Sequence, residues 1–312
     1  LGFCFIGFTT PDPIPEALDH LSAWLAEGFA GDQAYLSRAD VLAKKRDPRL
    51  LLADVRSVVV LGVRIPTVDR SSQKYLVADF AHFADYHHTI AAAVEKLIAA
   101  FTAQFGRSSQ WRVCVDSSPI LERAYAVKAG LGWIGKSSML IHPAVGSRTL
   151  LCAALTTAEF QPDEPFSGEY CGSCSRCVDA CPTGCIDGGK RWIDASRCVS
   201  YLTIERKLAL DPELAPKNGP RVFGCDVCTD VCPWNRRAAS YPQQGGLLAE
   251  VPTPLPDDFD LTLTPELFKK KYASSPILRR KLPRWVENLN NAAMCLKERS
   301  SHDEESELNR FG

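Results

Sequence analysis

The stretch CGSCSRCVDACPTGC, Cys171 to Cys185, decides how the rest of the chain is read. It places five cysteines within fifteen residues, and nine of the thirteen cysteines in the chain fall between 171 and 232. A second run, CDVCTDVCPWN, starts at Cys225, and Cys198 stands alone between the two. The remaining four, Cys4, Cys114, Cys152 and Cys295, are scattered among apolar neighbours and read as small buried hydrophobes. With 312 residues and no secretion signal, a disulfide scaffold is not expected.

Two metal chemistries compete for such sulfurs. A zinc ribbon needs two C-x2-C pairs for one tetrahedral site, and a third cysteine at the same spacing is superfluous there. The run C-x2-C-x2-C-x3-C-P of bacterial ferredoxins gives three thiolates to one four-iron cluster and a fourth to its neighbour. Cys171, Cys174, Cys177, Cys181 and Pro182 match that run without gaps. Cys198 and Cys225-x2-Cys228-x3-Cys232-Pro233 repeat it with the first ligand displaced upstream. The crossed logic assigns Cys171, Cys174, Cys177 and Cys232 to cluster one, and Cys181, Cys198, Cys225 and Cys228 to cluster two. Cys185 is left over, expected to pack near a cluster without ligating it.

The length corresponds to roughly two domains. The chain is 46% hydrophobic, enough to build a core, and its net charge of -1 gives no global case for nucleic acid. Its longest apolar runs, SVVVLGV and LLCAAL, fall far short of a membrane span. No export signal is apparent, so a cytoplasmic protein is expected, and a monomer is taken as its expected state. The sequence lacks an initiator Met and starts mid-pattern, which suggests missing leading residues.

Apolar spacing predicts an amphipathic helix from residue 16 with its exit by 36, a strand at 57–65, a helix at 86–105 and a strand at 111–115. Ser118 and Pro119 predict a helix start, and Gly130 its end. Strands follow in SMLIH and RTLLCAALTT. The expected fold class is α/β: a three-layer domain over 1–165, a ferredoxin-like module with two four-iron clusters over 166–240, and a Pro-rich connection with a short helical tail over 241–312. The final SHDEESELNRFG reads as solvated and unstructured.

Two motif matches fail on context. Gly130-x-Gly132-x-x-Gly135 has dinucleotide-fingerprint spacing but follows a helix and leads into a strand, the reverse of what pyrophosphate binding needs. Asp85-Tyr86-His87 begins like a cobalt-ligating signature, but Ile90 stands where glycine is required.

VDSSPILERAYAVKAGLGWIGKSSMLI (115–141), CGSCSRCVDACPTG (171–184), RCVSYLTIE (197–205) and GCDVCTDVCPWN (224–235) together resemble the epoxyqueuosine reductases, which complete queuosine in tRNA. AYLSRADVLAKKRDPRLLL and DYH match more weakly. The resemblance implies two [4Fe-4S] clusters, a base-off cobalamin and two-electron reductive removal of an epoxide oxygen. It implies kinship with reductive dehalogenases and the cobalamin-processing fold. It carries the proton-donor role onto Asp116; the alternative is that Asp116 only caps the following helix. Ser200, Tyr201, Asp226, Lys136, Ser137 and Ser138 become candidate cofactor contacts, with Arg38 and Tyr86 from the weaker matches.

KKKYASSPILRRKLPR, residues 269–284, carries seven cations and no acid. Lys269, Lys270, Lys271, Arg279, Arg280, Lys281 and Arg284 are therefore candidates for tRNA phosphates, with Tyr272 and Trp285 nearby. On charge alone a solvated basic face is the alternative. The implied partners are tRNA carrying epoxyqueuosine and a low-potential donor of flavodoxin or ferredoxin type. Competing functions are reduction of a small molecule, as in dehalogenation, and electron carriage without catalysis. The second leaves the long first domain without a task.

Overall fold

The computed structural model describes residues 1–106, 109–238, 246–248 and 253–308, with side chains described up to 298. Its centre is a four-stranded sheet. Strand β1 (Phe5–Thr9) precedes helices α1 (Pro15–Ala26) and α2 (Ala39–Arg46), then strand β2 (Ser57–Arg64). Helix α3 (Tyr86–Phe105), strand β3 (Trp111–Cys114), helix α4 (Glu122–Lys128) and strand β4 (Thr149–Thr156) complete this part. The sheet order is β1-β2-β4-β3, and every neighbouring pair is antiparallel.

β2 and β4 are central, which is why SVVVLGV and LLCAAL are continuous apolar runs rather than alternating ones. Alternate residues of β2 face two different cores. Val58 and Val60 join Tyr125, Ala126 and Ala129 from the α4 region. Val59, Leu61 and Val63 join Tyr86, Ile90 and Val94 of α3. The sheet is thus covered by helix on both faces.

The expected helix at 86–105 is found at those limits, capped by Asp85, whose side chain accepts from the His87 backbone N–H at 3.0 Å. The helix expected from Ser118 instead begins at Glu122, with Leu121 at its N-cap and no side-chain cap. Ser118 and Pro119 belong to a turn, in which the Ile120 N–H donates to the Ser118 carbonyl. The helix expected from residue 16 spans Pro15–Ala26, and the exit expected by 36 consists of turns and a 3-10 segment, Ala34–Ser37.

The cysteine-rich segment is tied to the first part by a parallel pairing of Arg221–Phe223 with Leu76–Val77. Around that pairing one core draws from three regions: Tyr75 and Val77, Val222 and Phe223, then Phe268, Tyr272, Ile277, Trp285 and Leu289. Helix α5 (Val199–Ile204) lies within the cysteine-rich segment, and α6 (Pro265–Lys271) and α7 (Leu282–Leu308) follow it. α7 continues through Leu308, into the acidic stretch expected to be unstructured. The rest of that stretch, 309–312, lies outside the described residues.

Candidate active site and cluster module

β3 delivers the chain to Asp116, which lies at the C-terminal edge of the sheet with φ of 52°, in the left-handed region. A non-glycine residue held there stores of order 1–3 kcal/mol, and such strain concentrates at functional sites. The turn is held from below: the Asp116 backbone N–H donates to Glu122 Oε1 at 3.0 Å. Asp116 is therefore not the cap of the following helix, whose N-cap is Leu121.

The Asp116 carboxylate gathers three partners. Tyr86 donates its hydroxyl to Asp116 Oδ2 at 2.9 Å, and His87 Nε2 lies 3.1 Å from the same oxygen. Arg279 Nη1 lies 3.4 Å from it, and 3.2 Å from His87 Nε2. The Tyr86 and His87 rings stack at 4.1 Å, and His87 Nδ1 lies 2.7 Å from Asp85 Oδ1. Arg279 Nη2 reaches Glu205, just beyond α5, at 3.6 Å.

Desolvation alone would raise the Asp116 pKa, but hydrogen bonds from His87 and Tyr86 and the charges of His87 and Arg279 outweigh it and hold it at about 2. For His87, desolvation works downward, and the bonds to Asp116 and Asp85 outweigh it, pushing the ring up to about 9. At neutral pH the pair is therefore imidazolium and carboxylate. Arg279 beside the same carboxylate oxygen keeps Asp116 ionised, so at rest the proton of the pair sits on the imidazole.

Asp116 is 51% exposed at its side chain, yet desolvation is the largest influence on its titration. Glu122, Arg123 and Lys45 behave alike: each keeps accessible surface and each is dominated by desolvation. Groups that keep accessible surface yet are desolvated line a concave stretch of the surface rather than a convex one. Burial and the neighbouring Asp116 charge push Glu122 up to about 8, although the Asp116 N–H bond pulls it down. Arg123 donates to the Ser138 carbonyl, and Ser138, itself at φ 59°, donates to the Arg191 carbonyl. A separate cavity of about 440 Å³ shares Asp85 and Arg279 with this site and is also lined by His88, Thr89, Ser274 and Leu278.

All thirteen cysteines of the chain are free thiols, nine of them in the cysteine module. Cys171, Cys177 and Cys232 lie within electrostatic reach of one another. Cys181, Cys198, Cys225 and Cys228 form a second group, and Cys228 also feels Cys177. Cys185 is buried between Cys181 and Cys198, its Sγ 3.4 Å from that of Cys181. No group of three His, Cys, Asp or Glu side chains placed to hold a metal ion is found among the described residues.

Several residues singled out by sequence have other engagements. Lys136 donates to the Gly172 and Cys174 carbonyls at 2.7 and 3.0 Å, clamping the first cysteine loop. Ser137 is buried beside it. The buried Tyr201 hydroxyl accepts from the Asp32 N–H at 2.6 Å. Asp226 accepts from the Asp79 N–H at 2.7 Å and pairs with Arg70 at 3.3 Å. Burial and then the Asp79 charge push Asp226 up to about 6. Arg38 is exposed and pairs with Asp40 at 2.9 Å. Ser200 is half-buried on α5 beside Cys198. The glycines from Gly130 to Gly135 make the expected helix-to-strand turn, where a Cβ on Gly132 would meet the Ile141 carbonyl oxygen at 2.1 Å.

The basic run divides. Lys271 is spent on the buried Asp260 at 2.7 Å, and Arg280 is buried against the Ile204 and Arg206 carbonyls. Arg284 pairs with Glu287 at 2.7 Å, and Arg279 belongs to the Asp116 site. Tyr272 and Trp285 are fully buried core residues, so neither is a stacking platform. Lys269, Lys270 and Lys281 are exposed. Sequence reasoning missed His87, Arg279 and Glu122 as neighbours of Asp116. The DYH tripeptide and the LER of VDSSPILER were the available signals.

Residues 170–235 match the family of 4Fe-4S double cluster binding domains, and residues 45–117 match the family described as "Epoxyqueuosine reductase QueG, DUF1730". An epoxyqueuosine reductase from Cyclobacterium marinum is 35% identical over 294 residues, covering 93% of this chain and 92% of that one. A solved epoxyqueuosine reductase bound to an epoxyqueuosine-modified tRNA-Tyr stem loop superposes with a TM-score of 0.80 at 28% identity, over 98% of this chain and 81% of that one. A Bacillus subtilis epoxyqueuosine reductase, described with its catalytic aspartate loop swung out of the active site, gives 0.80 at 28%, over 98% and 82%. No helix among the described residues is long and apolar enough to cross a membrane. A relative matched along nearly its whole length at this identity, together with the double-cluster module, establishes that the chain belongs to the epoxyqueuosine reductase family.

Proposed function

We propose that this chain carries out its family's reaction, reduction of epoxyqueuosine to queuosine in tRNA, at the concavity beside Asp116. The single observation that carries this reading is the Asp116–His87–Tyr86–Arg279 constellation, which Arg279 ties to Glu205 in the cysteine-rich segment. Removal of the epoxide oxygen as water consumes two electrons and two protons. In the proposed assignment Cys171, Cys174, Cys177 and Cys232 hold cluster one, and Cys181, Cys198, Cys225 and Cys228 hold cluster two. A low-potential one-electron carrier of flavodoxin or ferredoxin type supplies the two electrons, one at a time, through these clusters.

The cleft fits a large cofactor, because Lys45, Asp116, Glu122 and Arg123 are open to solvent yet desolvated on all other sides. Lys45 and Arg123, with Ser138 and Ser200, would hold base-off cobalamin, which would supply a strongly reducing, nucleophilic centre when bound, while Asp116 and Glu122 face it without anchoring it. The helix-covered sheet of the first 165 residues is then the cobalamin-binding domain. The chain's own part is proton handling. His87 holds a proton at neutral pH, and Asp116, ionised at rest, relays it to the leaving oxygen. Tyr86 and Arg279 fix the carboxylate, and Asp85 fixes the imidazole.

The same reading gives tRNA contact to Lys269, Lys270 and Lys281, the cations of the basic run left exposed. Replacing all three with Ala is expected to weaken binding of an anticodon stem-loop and to reduce its salt slope by about 2, the counterion release of three single-strand phosphate contacts. Filter binding across a salt series checks this. An unchanged slope would remove these lysines from the interface.

A further inference from the structure

Loss of an epoxide oxygen as water needs two protons, and the His87–Asp116 pair holds one. On the other side of the Asp116 turn stands a second carboxyl, Glu122, whose Oε1 accepts the Asp116 backbone N–H at 3.0 Å. It sits at the first position of α4, half-buried against the cleft. The groups facing it are Asp116, Arg123 on its own helix, Lys45 on α2, Cys114 on β3 and Cys152 on β4. Among the described residues neither cation lies within ion-pair distance of Glu122, and the hydrogen bond that Glu122 accepts comes from a neutral amide.

We infer that Glu122 is the store of the second proton and acts through Asp116, reloading it across the solvent of the cleft. The inference rests on the reductase reading above and deepens it. Two observations support it together. Glu122 anchors the strained turn that presents Asp116, so the two carboxyl groups keep a fixed relation. Their environments also separate them: Asp116 is surrounded by donors and cations, whereas burial and the Asp116 charge keep Glu122 protonated near neutral pH. A carboxylate flanked by two proton-loaded groups, His87 and Glu122, matches a reaction that takes up two protons per turnover.

Glu122→Gln separates anchoring from proton supply. The amide oxygen still accepts the Asp116 N–H, but the side chain carries no transferable proton. Turnover of epoxyqueuosine-containing tRNA is expected to fall about 100-fold, and the alkaline limb of the kcat–pH profile near about 8 to disappear. Cluster and cobalamin content are expected to match the wild type. Independently of turnover, infrared difference spectra of the purified protein are expected to show a protonated carboxyl that is lost as pH rises through about 8 and is absent from Glu122→Gln. Wild-type kcat and an unchanged profile in Glu122→Gln, or no such carboxyl band in the wild type, would overturn the proposal and leave Glu122 an anchor only. If wild-type protein itself fails to turn over while the band is present, the reductase reading fails and Glu122 remains a proton store without this reaction. That result would overturn the second-proton role.

Discussion

Asp116→Asn is expected to lower turnover by about 100- to 10,000-fold, the range for removal of a positioned proton donor, while iron and cobalamin content stay at wild-type levels. The amide still accepts the Tyr86 hydroxyl at the Oδ2 position and still occupies the turn. What it loses is the capacity to take a proton from His87 and pass it on. The same substitution removes the negative charge that holds His87 at about 9, so the ring should titrate closer to its ordinary range. That shift is readable by NMR of the imidazole and is independent of turnover. Substantial activity in Asp116→Asn would show that the oxygen receives its proton elsewhere.

The second large effect concerns the crossed ligands. Cys181→Ser and Cys225→Ser are each expected to remove cluster two, although the residues lie in different sequence runs. Iron per chain should fall from about eight to about four, turnover should stop because the electron path is broken, and the two variants should leave the same surviving signal in electron paramagnetic resonance. Cys177→Ser should leave the other one. The physical ground is the proximity of Cys181 to Cys198, and of Cys198 to Cys225 and Cys228. If Cys181→Ser instead leaves the signal of Cys177→Ser, each run holds its own cluster and the crossing is wrong.

Helix α3 and the two central strands were legible in the sequence because their apolar pattern is local and strong. The antiparallel pairing of the sheet was not, since alternating strands and helices do not state strand direction. The start of α4 was misplaced because Ser118–Pro119 carries the chemistry of a helix start and of a tight turn equally well. The turn is selected by Asp116 adopting a left-handed conformation braced by Glu122, a contact six residues away.

The cysteine spacing was informative for a different reason: cluster ligation is itself a short-range code. The basic run shows the limit of charge counting. Whether a lysine faces phosphate or protein depends on partners distant in sequence. Lys271 meets Asp260 eleven residues away, and Arg280 reaches carbonyls at 204 and 206. Arg279, between them, is drawn into the proton-handling site through the turn after α6, bringing it beside residues 87 and 116. His87 was legible as DYH but was tested only as a cobalt ligand, whereas its two ring nitrogens face Asp85 and Asp116.

The central claim is most directly tested by giving the anaerobically reconstituted protein an epoxyqueuosine-containing tRNA stem-loop and a low-potential reductant, with and without added cobalamin, and following the nucleoside by mass spectrometry. Loss of one oxygen, yielding queuosine only when cobalamin is present, is the predicted result. No queuosine with cobalamin bound and both clusters intact, or the same yield without cobalamin, would contradict it.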